Sequence, residues 1–191
     1  MTLYETERLI VREWTSADIN DFIAYNLQPD VMKFMDYPMF KNSMDAENCL
    51  KTAIGYYNPN FTTNKRYMKI DYAIELKSNF EGAKKVVGSI SFAKITPEAG
   101  GVIEMGYMLN KNFQHKGYMT EAVQGLFKFI KEKNLAKRIE TSCDTENKAS
   151  EAVMKRTGMT FEGIRRKSLD NNFRKRADYA VYSILDEEIK S

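Results

Sequence analysis

The chain of 191 residues has only 2 cysteines, 4 prolines and a single histidine. No apolar run approaches the roughly 20 residues that a membrane span needs. Cys49 and Cys143 lie far apart without a C-x-x-C pattern. That arrangement fits reduced, mostly buried thiols better than a disulfide framework or a zinc site, so no metal is expected. The opening MTLYETERLIVREW lacks the apolar stretch and cleavage site of a secretory signal, and a cytoplasmic protein is the expectation. Linkers rich in Pro, Gly or Ser, low-complexity runs and internal repeats are all missing, which predicts one domain over 1–191. A charge excess is missing too: 29 basic against 26 acidic side chains leave +3 and no nucleic-acid footprint. Hydrophobic residues make up 43% and charged residues 29%, a balance that excludes disorder and fibrous folds.

Residues 8–14 have the apolar density of a strand. Ser16 followed by Asp18 reads as an N-cap entering a helix over about 17–27. Pro29 and Pro38 bracket a short helical piece. A further helix starts near Ser43 and ends at Asn58-Pro59. From Tyr67 the period becomes two, with Met68, Ile70, Tyr72 and Ile74 alternating with polar or small neighbours, and strands at 86–95 and 102–109 complete an antiparallel meander. Met119, Ala122, Val123, Leu126, Phe127 and Ile130 follow helical spacing over 117–131. Elements at about 137–143, 147–157, 159–167 and 177–185 give the order βααβββαβαββ, an α+β arrangement of helices around a mostly antiparallel sheet of about seven strands.

Two strand-to-helix junctions carry the chemistry. At the first, strand 102–109 runs into Gln114-His115-Lys116-Gly117-Tyr118-Met119-Thr120 and the 117–131 helix. A helix N-terminus offers unpaired N–H groups and the positive end of the helix dipole, which suits a pyrophosphate. Gly117 removes side-chain bulk there, and Lys111, His115 and Lys116 add positive charge. By itself such a junction also arises as plain structure. The Walker pattern G-x-x-x-x-G-K-S/T and the dinucleotide pattern G-x-G-x-x-G are absent, so ATPase and dinucleotide readings lose their motif. At the second junction Asn147 and Ser150 share a helix face, with Asn147 a good N-cap, and Met154, Gly158 and Met159 follow.

The order and spacing of these junctions resemble the GNAT superfamily of acetyl-CoA dependent N-acetyltransferases over nearly the whole chain. The family's Q/R-x-x-G-x-G/A turn appears as Gln114, Gly117 and Met119, with Met in place of the last small residue. Its N-x-x-A/S-x-x-L/V-Y/M-x-x-x-G-F/M element appears as Asn147, Ser150, Val153, Met154, Gly158 and Met159. Further matches, among them Thr6-Glu7-Arg8-Leu9 and Glu162-Gly163, bring the chain nearer the ribosomal-protein-alanine (Rim-type) and spermidine N-acetyltransferase branch. The resemblance implies a sheet splayed between its fourth and fifth strands, with coenzyme A held by Tyr107, Met108 and Leu109, by residues 114–120, and by Asn147, Ser150 and Met154. Many members carry a Tyr at the position of Met154 that protonates the departing thiolate. Met cannot do so, and Ser150 is the expected thiolate partner.

The implied acetyl-CoA reaction needs a neutral amine, donors for a tetrahedral oxyanion and a proton for the thiolate. Glu162 and Glu104 are the candidate bases, with a water chain as the alternative. His115 is expected to be solvated or to face phosphate, rather than to act as a base, and Cys143 to be a buried strand-end thiol. Phe34, Tyr37, Tyr56 and Tyr57 line the acceptor mouth or pack in the core. Asp30, Asp36, Asp45 and Glu47 lie near that mouth. The acceptor readings are a protein N-terminus, a polyamine, or an antibiotic or metabolite amine. A coenzyme A binding sensor is the alternative from another class. Arg165, Arg166, Lys167, Arg174, Lys175 and Arg176 flank a turn at 170–172 that is either a solvated hairpin or a dock for an acidic partner such as ribosomal RNA. Family members are often dimers, so a homodimer is a further expectation. With 12 basic and 13 acidic residues before residue 100 and 17 and 13 after it, the positive half is the one expected to hold the polyanionic coenzyme.

Overall fold

The computed structural model describes residues 1–57, 70–78, 84–96 and 101–190. Its elements are β1 (Thr2–Glu5), β2 (Leu9–Arg12), α1 (Ile19–Asn26), α2 (Pro29–Met32), α3 (Ser43–Gly55), β3 (Ile70–Leu76), β4 (Lys85–Thr96), β5 (Val102–Leu109), α4 (Tyr118–Glu132), β6 (Arg138–Asp144), α5 (Lys148–Arg156), β7 (Thr160–Leu169) and β8 (Ala177–Leu185). The sheet has eight strands in the order β1-β2-β3-β4-β5-β6-β8-β7. Among its pairings only β5 with β6 is parallel.

The eighth strand is β1, which the sequence reading did not foresee. The expected start of β3 at Met68 lies outside the described residues. The entry to α1 also differs by one residue: Thr15, not Ser16, donates its amide and hydroxyl to the Asp18 carboxylate, at 2.8 and 2.9 Å. Asp18 is well placed for this because Arg12 also holds it with two bonds of 2.8 Å.

The helices divide between the two faces of the sheet. The stripe Met119, Ala122, Val123, Leu126, Phe127 and Ile130 of α4 is buried as its spacing predicts, packed with Leu9, Ile74, Ile90 and Ile139. On the opposite face α1 and α3 bury Phe22, Tyr25 and Leu50 with Trp14 and Ala73. Ala73 alternates with Tyr72 and Ile74, which belong to the α4 side, so the period-two pattern is what lets one strand serve two cores.

The sheet opens at one place. β5 keeps its β4 partner to its end, with Ile90 opposite Tyr107 and Gly88 opposite Leu109. Toward β6 it pairs only through Val102, Ile103 and Glu104. Beyond Glu104 the two strands diverge, and Thr141 Oγ donates 2.9 Å to the Met105 carbonyl at the base of the opening. This is the splay expected between the fourth and fifth foreseen strands. Gly88 permits it on the other side, because a Cβ there would lie 2.2 Å from the Met108 carbonyl oxygen.

Candidate active site

A cleft of about 910 Å³ occupies the opening between β5 and β6. Residues that alternate between the two faces of the sheet border it. Glu104, Ser142 and Asp144 alternate along their strands with Met105, Thr141 and Cys143, and all six reach the cleft.

The start of α4 forms one wall. Gly117 precedes the helix with φ of 82°, and His115 before it has φ of 64°, so the turn is built from two left-handed residues. No side chain caps this helix, whereas Asn42 caps α3 and Asn147 caps α5. The first-turn amides, which have no acceptor within a helix, therefore lie beside the cleft with the positive end of a 15-residue helix behind them. Gln114, His115, Gly117, Tyr118, Met119 and Thr120 all line it. Lys116 does not: its carbonyl accepts from Arg8 Nη1 at 3.0 Å and its ammonium lies 5.4 Å from the Phe113 ring centroid. The Lys116 side chain is thus withdrawn from the place expected for it. Arg156, not singled out from the sequence, takes a position on the cleft and donates 3.3 Å to Thr120 Oγ.

The opposite wall is the N-terminus of α5. Asn147 Oδ1 accepts from the Ser150 amide at 3.2 Å, which fixes the first turn. Ser150 Oγ then donates to the Tyr107 hydroxyl at 2.9 Å, and that hydroxyl donates to the Ser150 carbonyl at 3.1 Å. Burial raises the Tyr107 hydroxyl well above the ordinary tyrosine value, so it remains a proton donor throughout the neutral range. From the sequence only the Tyr107 backbone was of interest, since nothing local marks its side chain as facing α5. Met154 is a correction: it is 1% exposed and packs in the core beneath α5 rather than on the cleft.

Cys143 lies on the cleft and is buried, and burial pushes its thiol up to about 11. It is a thiol at neutral pH, as expected. Cys49 departs from expectation and is exposed. The described residues hold no cluster of side chains suited to a metal ion and no helix long and apolar enough to cross a membrane.

The two candidate bases part company. Glu104 lines the cleft at the last paired position before the splay. Glu162 does not line it: its carboxylate accepts from Arg138 Nη1 at 2.9 Å and from the Ser183 hydroxyl, and these bonds hold it below the usual carboxylate range. β8 stands between β6 and β7, which puts Glu162 two strand spacings, about 10 Å, from β6.

The far end of the cleft is closed by the α2 region and the β7–β8 hairpin. Asp30, Val31, Phe34, Met35, Leu169 and Tyr179 line it, with Asp36 beside them. The hairpin tip folds onto this region: Asn172 Nδ2 donates to the Met32 and Tyr37 carbonyls at 2.8 and 3.0 Å, and Phe173 meets the Phe34 ring edge-on at 5.8 Å. Arg174 turns inward and holds Asp144, whose side chain is fully buried, through bonds of 2.5 and 3.0 Å, and Asn171 adds a third of 2.7 Å. Part of the basic segment is therefore structural. Tyr37 donates its hydroxyl to Met108 Sδ at 3.5 Å, and Tyr57 is committed to the Asp71 carbonyl and the Trp14 amide in the core. Asp45 accepts from the Lys41 amide at the start of α3, and neither it nor Glu47 reaches the cleft.

A family profile described as Acetyltransferase (GNAT) domain matches residues 8–160. The uncharacterized N-acetyltransferase YnaD of Bacillus subtilis (strain 168) is 32% identical over 184 residues, which covers 96% of each chain. The crystal structure of a GNAT-family acetyltransferase from Bacillus anthracis is 28% identical, covers 98% of this chain and 100% of its own, and superposes with a TM-score of 0.79. RimL, a ribosomal L7/L12 α-N-protein acetyltransferase solved in complex with coenzyme A, has the same fold at 20% identity and a TM-score of 0.78, over 97% of this chain and 99% of its own. A profile match that spans most of the sequence, over a sheet opened between a parallel strand pair, identifies the chain as a member of the GNAT acetyltransferase family.

Proposed function

We propose that the protein transfers the acetyl group of acetyl-CoA to an α-amino group by direct attack within a ternary complex. The observation that carries this reading is the single cleft joining an uncapped helix N-terminus, the Ser150–Tyr107 pair and an apolar mouth. The coenzyme end is supported by the α4 amides for pyrophosphate, with His115 and Arg156 nearby, and by the β5 edge beyond Glu104, which has no strand partner toward β6 and suits the amide-rich pantetheine arm. Coenzyme A is the ligand of RimL, a protein of this fold.

Each chemical task falls to a residue of this chain. Glu104, directly or through a water, accepts the proton of the attacking amine. On the edge of β5 that faces away from β4, the Tyr107 and Leu109 amides stabilise the oxyanion. Ser150 turns its hydroxyl to the departing sulfur and stabilises the thiolate with a hydrogen bond, while Tyr107 holds Ser150 in place. The proton that the thiol gains is the one released by the amine, passed on from Glu104 through water. The place of the missing Tyr at position 154 is thereby taken by the Ser150 hydroxyl, with Tyr107 as its support.

The mouth favours an α-amino acceptor over a polyamine. Asp30 is engaged by Lys111 and Asp144 by Arg174, so two of its carboxylates are already neutralised. Beside Asp36, what remains at the mouth is apolar: Val31, Phe34, Met35 and Leu169. An α-amino group with a pKa near 8 is about one-tenth neutral at pH 7, against less than about a thousandth for a lysine-like amine, so it asks less of a base.

The test is thiol release from acetyl-CoA in the presence of an amine panel that includes N-terminal peptides and spermidine. Peptides with free α-amino groups are expected to turn over faster than spermidine. Tight coenzyme A binding with no thiol release on any amine would identify a sensor and overturn the catalytic reading.

A further inference from the structure

The opening Thr6-Glu7-Arg8-Leu9 motif has no part in the reaction described above, yet it is folded against the turn that precedes α4. Thr6 Oγ and the Arg8 amide donate to Glu121 Oε1 at 2.6 and 2.8 Å, and Arg8 Nε donates to Glu121 Oε2 at 2.6 Å. Burial opposes the charge on Glu121, but these bonds hold its carboxyl below the usual range. The same guanidinium donates from Nη1 to the Lys116 carbonyl at 3.0 Å and lies 4.6 Å from the centroid of the Tyr118 ring. Its Nη2 would be 3.4 Å from a Cβ placed on Gly117.

In a trans peptide the C=O and N–H point in opposite directions. All peptide bonds among the described residues are trans. With the Lys116 carbonyl held by Arg8 on the outer side of the turn, the Gly117 N–H is directed away from Arg8, and Gly117 lines the cleft. Arg8 also fixes a positive charge behind the turn, where the Lys116 ammonium has been drawn aside to Phe113. Only a planar fork reaches the Glu121 carboxylate and the Lys116 carbonyl at once, and a lysine cannot.

We propose that Arg8 is a positioning residue for the pyrophosphate of coenzyme A: it sets the orientation of the Lys116–Gly117 peptide and so aims the turn's amides at the phosphates. The proposal rests on the acetyl-CoA reading of the cleft. Arg8 does not touch the coenzyme's reacting atoms, so its loss shows as weaker binding and leaves kcat at saturation unaltered.

The experiment measures binding of coenzyme A and of pantetheine, which lacks the pyrophosphate, to the wild-type chain and to Arg8→Ala, Arg8→Lys and Tyr4→Phe. Tyr4 donates 2.7 Å to the Ala122 carbonyl and so fastens the same N-terminal segment to α4 without touching the turn. Arg8→Ala is expected to weaken coenzyme A binding about 10-fold and to leave pantetheine binding unchanged. Arg8→Lys is expected to fail to restore it, and serves as the measured variant if the alanine protein does not fold. Tyr4→Phe is expected to bind both ligands as wild type does. Unchanged coenzyme A affinity in both Arg8 variants would overturn the proposal. So would an equal loss for pantetheine, or an equal loss in Tyr4→Phe, either of which would mean a general loosening. A wild-type chain that binds no coenzyme A would instead remove the functional reading, and this proposal with it.

Discussion

The hydroxyls of Ser150 and Tyr107 lie 2.9 Å apart across the cleft, one on the first turn of α5 and the other on the end of β5 that has no β6 partner. Each residue needs the other to be oriented: Ser150 supplies both an Oγ donor and a carbonyl acceptor to the same phenol. The Ser150 hydroxyl can therefore turn to a departing thiolate while its oxygen keeps Tyr107 as a hydrogen-bond partner.

Ser150→Ala and Tyr107→Phe are each expected to lower kcat about 10- to 100-fold, with coenzyme A affinity changed little. Because the two act as one unit, the double variant is expected to be scarcely slower than the worse single one. Steady-state kinetics on the four proteins checks this. Losses that multiply in the double variant would mean that the two hydroxyls act independently.

Glu162→Gln is expected to leave the pH profile of kcat unchanged, because its carboxylate is engaged by Arg138 and Ser183 outside the cleft. Glu104→Gln is expected to cost about 100-fold at neutral pH and to remove the limb of the profile that reports the base. A profile altered by Glu162→Gln and not by Glu104→Gln would return the base to β7.

Much of the site was legible because it depends on local backbone chemistry. Gly117 at a strand-to-helix turn, the Asn147 cap and the α4 stripe are set within a few residues of themselves, and the structure places them as the sequence suggested. What was not legible depends on partners far away in the chain. β1 is four residues long and is set by pairing with β2 and by Tyr4 reaching Ala122, 118 residues away. Glu162 looked close to the site because β7 follows α5 directly, but the return strand β8 inserts beside β6. Arg174 read as one charge in a solvated run, because nothing local shows that Asp144, 30 residues earlier, is buried and needs it.

The hairpin tip offers a prediction about the acceptor. Asn172→Ala removes both bonds to the Met32 and Tyr37 carbonyls and so loosens the wall that carries Phe34. KM for the amine is expected to rise about five- to tenfold, while KM for acetyl-CoA stays put. Equal changes in both would show that the hairpin is a general support and not an acceptor wall.

Gly88→Ala would drive a Cβ into the Met108 carbonyl, a backbone atom with no freedom to yield. Urea denaturation is expected to register a loss of about 1–3 kcal/mol. Any enzyme that remains folded is expected to lose activity as well, since Met108 and Leu109 form the cleft edge. Full stability would mean that β4 shifts without cost.

Asp71 gives a prediction in pH that is independent of catalysis. It lies beneath α1 and α3, where Oδ2 accepts from Trp14 Nε1 at 2.9 Å, and Tyr25, Tyr37, Cys49 and Tyr57 are titratable neighbours. Burial lifts its carboxyl to about 7, against the opposing pull of hydrogen bonds from Trp14 and Ser89. The unfolded value is about 3.9, so between about pH 4 and pH 7 the folded chain binds more protons than the unfolded one, and its stability falls as pH rises. Below about pH 4 the cost is absent, and above about pH 7 it is complete. Asp71→Asn keeps an acceptor for Trp14 but cannot ionise. It is expected to raise the urea midpoint at about pH 8, with the advantage shrinking steadily toward pH 4. A difference between variant and wild type that stays constant across that range would show that Asp71 does not titrate there.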